Sequence, residues 1–205
     1  MEQIILVGCG GHAASVMDSI MQQGRYQIAG FIEREKPGGD GPGGVPIIGT
    51  DQDLKQVYDS GIRTAFVTVG CLGRGSVRER LYGSLKQIGY EIPAVIDPSA
   101  VLARGVHIGE GTYVGKRAVI NTGAETGRMC IINTGAVVEH GCSVGDFSHV
   151  AVGSVLCGGV KTGRDVLVGA GAVVIQGICI GTGAIVGAGV TVRHDVETGQ
   201  TYYGK

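Results

Sequence analysis

The sequence predicts a small parallel α/β domain over residues 1–97 followed by a β-helix over residues 98–205. Three observations carry this. Short apolar runs alternate with helical periodicity in the first half, every sixth residue from Leu102 to Val192 is aliphatic or Thr, and glycine supplies 39 of 205 residues against 5 prolines. Strands alternating with helices build a parallel sheet with helices on its faces. A fixed repeat builds a solenoid, and so much glycine in a hydrophobic chain points to one recurring backbone position, not to disorder.

In the first half, Ile4-Ile5-Leu6-Val7 is a buried-strand run broken by Gly8-Cys9-Gly10-Gly11. His12 to Gln23 carries Ala13, Val16, Met17 and Ile20 at helical spacing. Ile28-Ala29-Gly30-Phe31-Ile32 reads as a second strand and Val45-Pro46-Ile47-Ile48 as a short third. Asp51 caps a helix running to Tyr58, and Ala65-Phe66-Val67-Thr68-Val69 is a further strand. A helix near residues 77–88 and a last strand near residues 91–96 complete this half.

In the second half, the register Leu102, Ile108, Val114, Ile120 and onward holds for sixteen units without an insertion, and fourteen of the sixteen are aliphatic. The residue two places earlier is small or aliphatic throughout, from Ala100 to Val190. Each hexad is then one short strand and a turn, with the aliphatic side chain inward and the small one in a tight corner. If three hexads close a coil, residues 18 apart stack, so Ile120, Val138, Leu156 and Val174 share one interior column of about five coils.

The net charge of -1 offers no electrostatic case for a nucleic acid or an anionic membrane surface as partner. No apolar run approaches the roughly 20 residues that span a bilayer. The run at residues 4–7 is too short for a leader and ends in a glycine turn. Six cysteines without a CxxC pair or short zinc spacing read as reduced thiols of a cytoplasmic protein.

Gly8-x-Gly10-x-x-Ala13 follows a strand and opens a helix, the context in which backbone N–H groups hold a phosphate. Glu33 follows the second strand, where a dinucleotide enzyme meets a ribose hydroxyl. Alone this suggests a nicotinamide cofactor, but residues 1–97 provide one nucleotide-binding half, not two. Two of the five histidines interrupt the repeat in VVEHGCSVGDFSHV: His140 lies two residues past inward Val138, and His149 one before inward Val150. Both are expected to project outward from the prism. His107 and His194 sit between repeat positions and should face solvent. Separations of 33 and 9 among His107, His140 and His149 do not match coils stacked every 18, so no metal site is expected. An imidazole with a pKa near 6.5 suits a general base acting on an acyl acceptor.

Gly8-Cys9-Gly10-Gly11-His12-Ala13, Asp97-Pro98-Ser99-Ala100, Asn133-Thr134-Gly135 leading into Glu139-His140, and Ser148-His149-Val150-Ala151-Val152-Gly153 together resemble one family over nearly the whole chain. It is the sialic acid O-acetyltransferase and bacterial UDP-aminosugar N-acetyltransferase family of hexapeptide-repeat acyltransferases. The resemblance implies a Rossmann-like nucleotide-sugar-binding domain and a left-handed β-helix, a handedness that general crossover preferences would not give. It implies an acetyl-CoA co-substrate, a homotrimer with active sites between subunits, and acetyl transfer to the amino group of a UDP-linked aminodideoxy sugar. O-acetylation of sialic acid or a related sugar is the alternative, and a non-catalytic nucleotide-sugar-binding scaffold a third.

By the same resemblance Gly8, Gly10, Gly11, His12, Glu33, Arg78 and Asn133 face the sugar nucleotide, and His140 is the base. His149, Ala151 and Gly169 line the acetyl-CoA cleft, and the backbone of Gly158 supplies an oxyanion donor. This chain departs from the family in three places. Gly141 stands where a carboxylate commonly orients the base, leaving Glu139, Asp146 or a backbone carbonyl for that role. Glu33 replaces a frequent Asp, and Tyr202-Tyr203-Gly204-Lys205 stands where the family has a Gly-x-Pro-Ala tail. Either that tail lies outside this chain or the adenine end of CoA is held differently.

Overall fold

The structure, a computed structural model, describes residues 1–34, 39–71 and 76–204. It separates into two compact units, one of Met1–Gly70 and Ser76–Val95, the other running from Ile96 and including Cys71.

The first unit is a four-stranded parallel sheet in the order β3-β2-β1-β4, formed by β1 (Glu2–Val7), β2 (Tyr26–Glu33), β3 (Ile47–Thr50) and β4 (Thr64–Val67). Ile4, Ile5, Leu6 and Val7 are all buried, as a central parallel strand requires. Helix α1 (Gly11–Gln23) buries Ala13, Val16 and Ile20 and ends at Gly24, whose left-handed backbone turns its N–H back to the Ile20 and Met21 carbonyls. Thr50 and Asp53 form a reciprocal cap ahead of α2 (Leu54–Asp59). Helix α3 (Ser76–Ile88) follows β4. The strand expected through Val69 stops at Val67, because Thr68 turns its hydroxyl onto the Val7 and Gly8 carbonyls. The strand expected near 91–96 becomes a bridge from Glu91 to Thr64 and a two-residue strand, Val95–Ile96, that opens one sheet of the repeat.

The second unit is a three-sided β-helix. Among the described residues, sixteen two-residue strands run from Val101–Leu102 to Thr191–Val192 and lie in three parallel sheets. Val138 pairs with Ile120 below and Leu156 above, the 18-residue stacking expected from the repeat. Ile120, Val138, Leu156 and Val174 have no exposed surface. The two inward threonines differ: Thr162 accepts the Gly145 N–H at 3.1 Å, whereas the buried Thr126 hydroxyl has no partner.

Glycine recurs at two positions of the hexad for different reasons. One, such as Gly145, follows the inward residue, where a Cβ would lie 2.4 Å from the Gly163 carbonyl of the next coil. The other precedes the inward residue by three and has a left-handed backbone, as at Gly153 (φ 64°). Arg117, Met129, Phe147 and Asp165 occupy this second position without being glycine. That conformation costs an L-residue roughly 1–2 kcal/mol. Burial of Met129 and Phe147 offsets it at roughly 1.5–3 kcal/mol each. On the outside of one sheet, Val101, Val119, Val137, Val155 and Val173 stand in register as a continuous apolar row.

Candidate active site

The corner after Val138 carries the first cluster. Gly141 takes the left-handed backbone that closes the turn (φ 66°). The Glu139 carboxylate accepts the His140 N–H at 3.0 Å and the Asn121 amide Nδ2 at 3.0 Å. Asp146 is engaged by the Nε of Arg128 at 2.8 Å and by its backbone N–H at 2.9 Å. Among the described residues neither carboxylate hydrogen-bonds the imidazole, and Glu139 Oε2 anchors the backbone of His140. The carbonyl of His140 accepts the Gly159 N–H at 2.9 Å, which ties this turn to the coil above.

The exposed His140 ring lies against Gly158, so closely that a Cβ there would sit 2.5 Å from Cε1 and Nε2. One coil below, the corresponding N–H of Thr122 is capped by Asn121 Oδ1 at 2.7 Å, and that of His140 by Glu139. Residue 157 is a cysteine, with no such oxygen, and among the described residues the Gly158 N–H has no acceptor. A base and an unspent backbone donor thus stand side by side. Cys157 accepts at its carbonyl from Cys142 Sγ at 3.1 Å, and burial pushes the Cys142 thiol up, keeping it protonated as that donor.

Asn133 and His149 form a second cluster. Asn133 Oδ1 accepts the Thr134 N–H at 2.8 Å, so its Nδ2 faces His149 Nε2 at 3.1 Å, and that nitrogen must accept. His149 Nδ1 lies 2.6 Å from the Cys71 carbonyl and donates to it. Both ring nitrogens of His149 are thus engaged, one by a side chain and one by a backbone carbonyl. The ring was expected outside the prism in water; it is outside the prism but only 8% exposed. Ala151 and Gly169 are buried one and two coils above Asn133. His107 and His194 are exposed, as expected.

The glycine turn forms a separate cluster in the first unit. Gly8 is the strained position: its φ is +101°, and a Cβ would meet Val69 Cγ2 at 2.7 Å. Gly10 caps α1 with an extended backbone, and both Gly10 and Gly11 border open space. His12 sits half-buried in the first turn of α1. Glu33 reaches back to this turn: Oε2 accepts the Cys9 N–H at 2.9 Å and the Cys9 thiol at 2.8 Å, and Oε1 accepts the Arg34 N–H at 2.9 Å. The thiol hydrogen bond holds the Glu33 carboxyl below its usual range, and the same bond pushes Cys9 up to about 11.

Gly8, Glu33, Asp51, Val69 and Arg80 border a cavity of about 190 Å³, and Arg34, Thr50, Asp51, Gln52 and Arg80 a neighbouring one of about 640 Å³. Arg78 is 2% exposed, on the helix stripe with Leu81 and Leu85. Arg80 faces the cavities, 3.1 Å from Asp51. Helical spacing from Val77 to Arg80 was the available signal for this, and Arg34 and Asp51 carried none.

Residues 3–85 match the PglD N-terminal domain family, and residues 105–140 and 159–193 match the hexapeptide repeat of succinyl-transferase. A histidine-to-alanine variant of GDP-perosamine N-acetyltransferase from Caulobacter crescentus, solved with CoA and GDP-perosamine, is 34% identical, with a TM-score of 0.92 over 98% of this chain and 93% of that one. This chain belongs to the hexapeptide-repeat sugar acetyltransferases. Another such enzyme, the acetyltransferase domain of PglB from Neisseria gonorrhoeae, is 27% identical, with a TM-score of 0.88 over 98% of this chain and 96% of that one. No curated protein matches the chain. As a sugar acetyltransferase of this family the protein is an acyltransferase with acetyl-CoA as co-substrate, and its β-helix is left-handed.

Proposed function

We propose that the protein transfers an acetyl group from acetyl-CoA to the amino group of a nucleoside-diphosphate-linked aminodideoxy sugar, with His140 as general base. The observation that carries this is the His140 ring laid against Gly158, whose N–H has no acceptor among the described residues. The amine nitrogen attacks the thioester carbonyl carbon and gives its proton to His140. The Gly158 N–H donates to the oxyanion that forms. Collapse of the intermediate breaks the C–S bond, and the imidazolium returns the proton to the departing CoA sulfur. We assign Asn133 to acceptor binding and His149 to the acetyl-CoA cleft, on the corner that follows Ile132, and Gly8, Gly10, Gly11, His12 and Glu33 to the nucleotide. Two structures of the Caulobacter crescentus relative, with a histidine replaced by alanine or asparagine, hold both CoA and GDP-perosamine, which supports a histidine that is dispensable for binding.

The family resemblance points to a uridine carrier, and the relative's carrier is guanosine. CoA release with UDP- and GDP-linked amino sugars decides between them. In the same assay, His140→Ala should retain binding of both substrates and lose roughly 10²–10⁴-fold in kcat. Full turnover by that variant would refute the role. The valine row, half-buried except at Val101, which is 61% exposed in the single chain, supports assembly as a homotrimer. Light scattering that finds an active monomer of 21.0 kDa would refute it. Six free thiols fit a cytoplasmic enzyme.

A further inference from the structure

We infer that Cys9 is a positioning residue for nucleotide recognition: it holds Glu33 so that the carboxylate has one acceptor site left, and accepts one ribose hydroxyl instead of two. This rests on the proposal that the Gly8 turn holds a nucleoside diphosphate.

An ionised carboxylate offers about four lone-pair sites. Oε2 of Glu33 spends two, on the Cys9 N–H at 2.9 Å and the Cys9 thiol at 2.8 Å. Oε1 spends one on the Arg34 N–H at 2.9 Å. Three sites are filled by the protein, and the fourth, on Oε1, remains for a ligand in the cavity that Glu33 and Gly8 border. The end of the second strand, across from a phosphate-binding turn, is where a carboxylate meets ribose. A carboxylate with free sites on both oxygens could grip both hydroxyls of a ribose, and this one cannot. The thiol is suited to the task across the physiological range, since Cys9 is pushed up to about 11 and stays protonated, while Glu33 is held low and stays an acceptor.

The test uses the full chain and calorimetric titration with UDP and GDP, each as the ribo, 2′-deoxy and 3′-deoxy form. Acetyl-CoA binding serves as the control for folding. In the unmodified protein, removing one hydroxyl should weaken binding roughly 10–100-fold, as loss of a hydrogen bond to a charged group does. Removing the other should change it less than about twofold. Cys9→Ala should weaken the ribo diphosphates and reduce the contrast between the two deoxy forms. Cys9→Ser, which keeps a donor at the same place, should restore both. In turnover, Cys9→Ala should raise KM for the sugar nucleotide and leave kcat unchanged. Equal losses for both deoxy forms, or Cys9→Ala behaving as the unmodified protein, would overturn the inference while leaving the nucleotide site standing. Binding of acetyl-CoA with no binding of either diphosphate would overturn the nucleotide site itself, and the inference with it.

Discussion

Replacing Gly158 by alanine should disable the base without unfolding the protein. Gly158 has no left-handed backbone to strain, so the only obstacle to a side chain is His140, whose Cε1 and Nε2 would lie 2.5 Å from the new Cβ. Ordinary contact begins near 3.4 Å, so the imidazole must move by about 1 Å. It is exposed and can swing, which keeps the thermal midpoint within a degree or two of the parent. A misplacement of that size can cost about 10²-fold in rate, or roughly 2.7 kcal/mol of transition-state stabilisation. The assay is CoA release under saturating substrates, so that kcat is read apart from KM. A second measurement separates this cause from obstruction of acetyl-CoA. In a His140→Ala background there is no ring to displace, and Gly158→Ala should cost little more, a strongly non-additive pair. Near-parental kcat in the single variant, or additive losses in the double, would refute the reasoning.

Thr126→Val should stabilise the protein by about 1 kcal/mol, because it removes a buried hydroxyl without a partner and keeps the shape. Thr162→Val should stabilise less, since the Gly145 N–H loses the hydroxyl and keeps only the Thr162 carbonyl at 3.2 Å; midpoints of urea unfolding compare the two. Gly8→Ala should destabilise by roughly 1–2 kcal/mol or more, given φ +101° and the collision with Val69. Gly10→Val meets open space and should lower stability only by the lost N-cap preference, roughly 1 kcal/mol or less. It should weaken nucleoside diphosphate binding and spare acetyl-CoA; equal loss of both ligands would contradict the phosphate-turn assignment.

The β-helix was legible because every coil imposes the same demand at the same place: the residue at Val138 and its equivalents must fill a narrow interior. Handedness was not, since the period is the same for either hand, and it came through the family. The left-handed corner shows in sequence where it is glycine. At Met129 and Phe147 it is hidden, because burial compensates for the backbone and leaves no glycine to see. The location of Glu33 was readable from its place after a strand, but its thiol partner was not, since Cys9 looks like any small residue in a glycine turn. Arg80 on the cavity face went unread, although helical spacing from Val77 was its signal, because the family motif points to Arg78, which is buried. His149 was placed on the correct side of the prism, yet its cover is a carbonyl 78 residues away in the chain, beyond the reach of local pattern.

Coil-to-coil pairing has a consequence for where the enzyme can breathe. From Val101 to Val192 the strands pair with those 18 residues before and after them, and the last pairing, Ile185 with Thr201, spans 16, so opening propagates inward from the ends, as in a stack of coins. The coil bearing His140 has paired coils on both sides, and Gly158 lies in the one directly above. Amide exchange should therefore be fastest near Thr201–Tyr202 and slow progressively toward this middle stretch, which exchanges only through the costliest openings. The backbones that carry the imidazole and the donor beside it thus sit in the coils that open last, so their spacing along the solenoid is held by pairing on both sides.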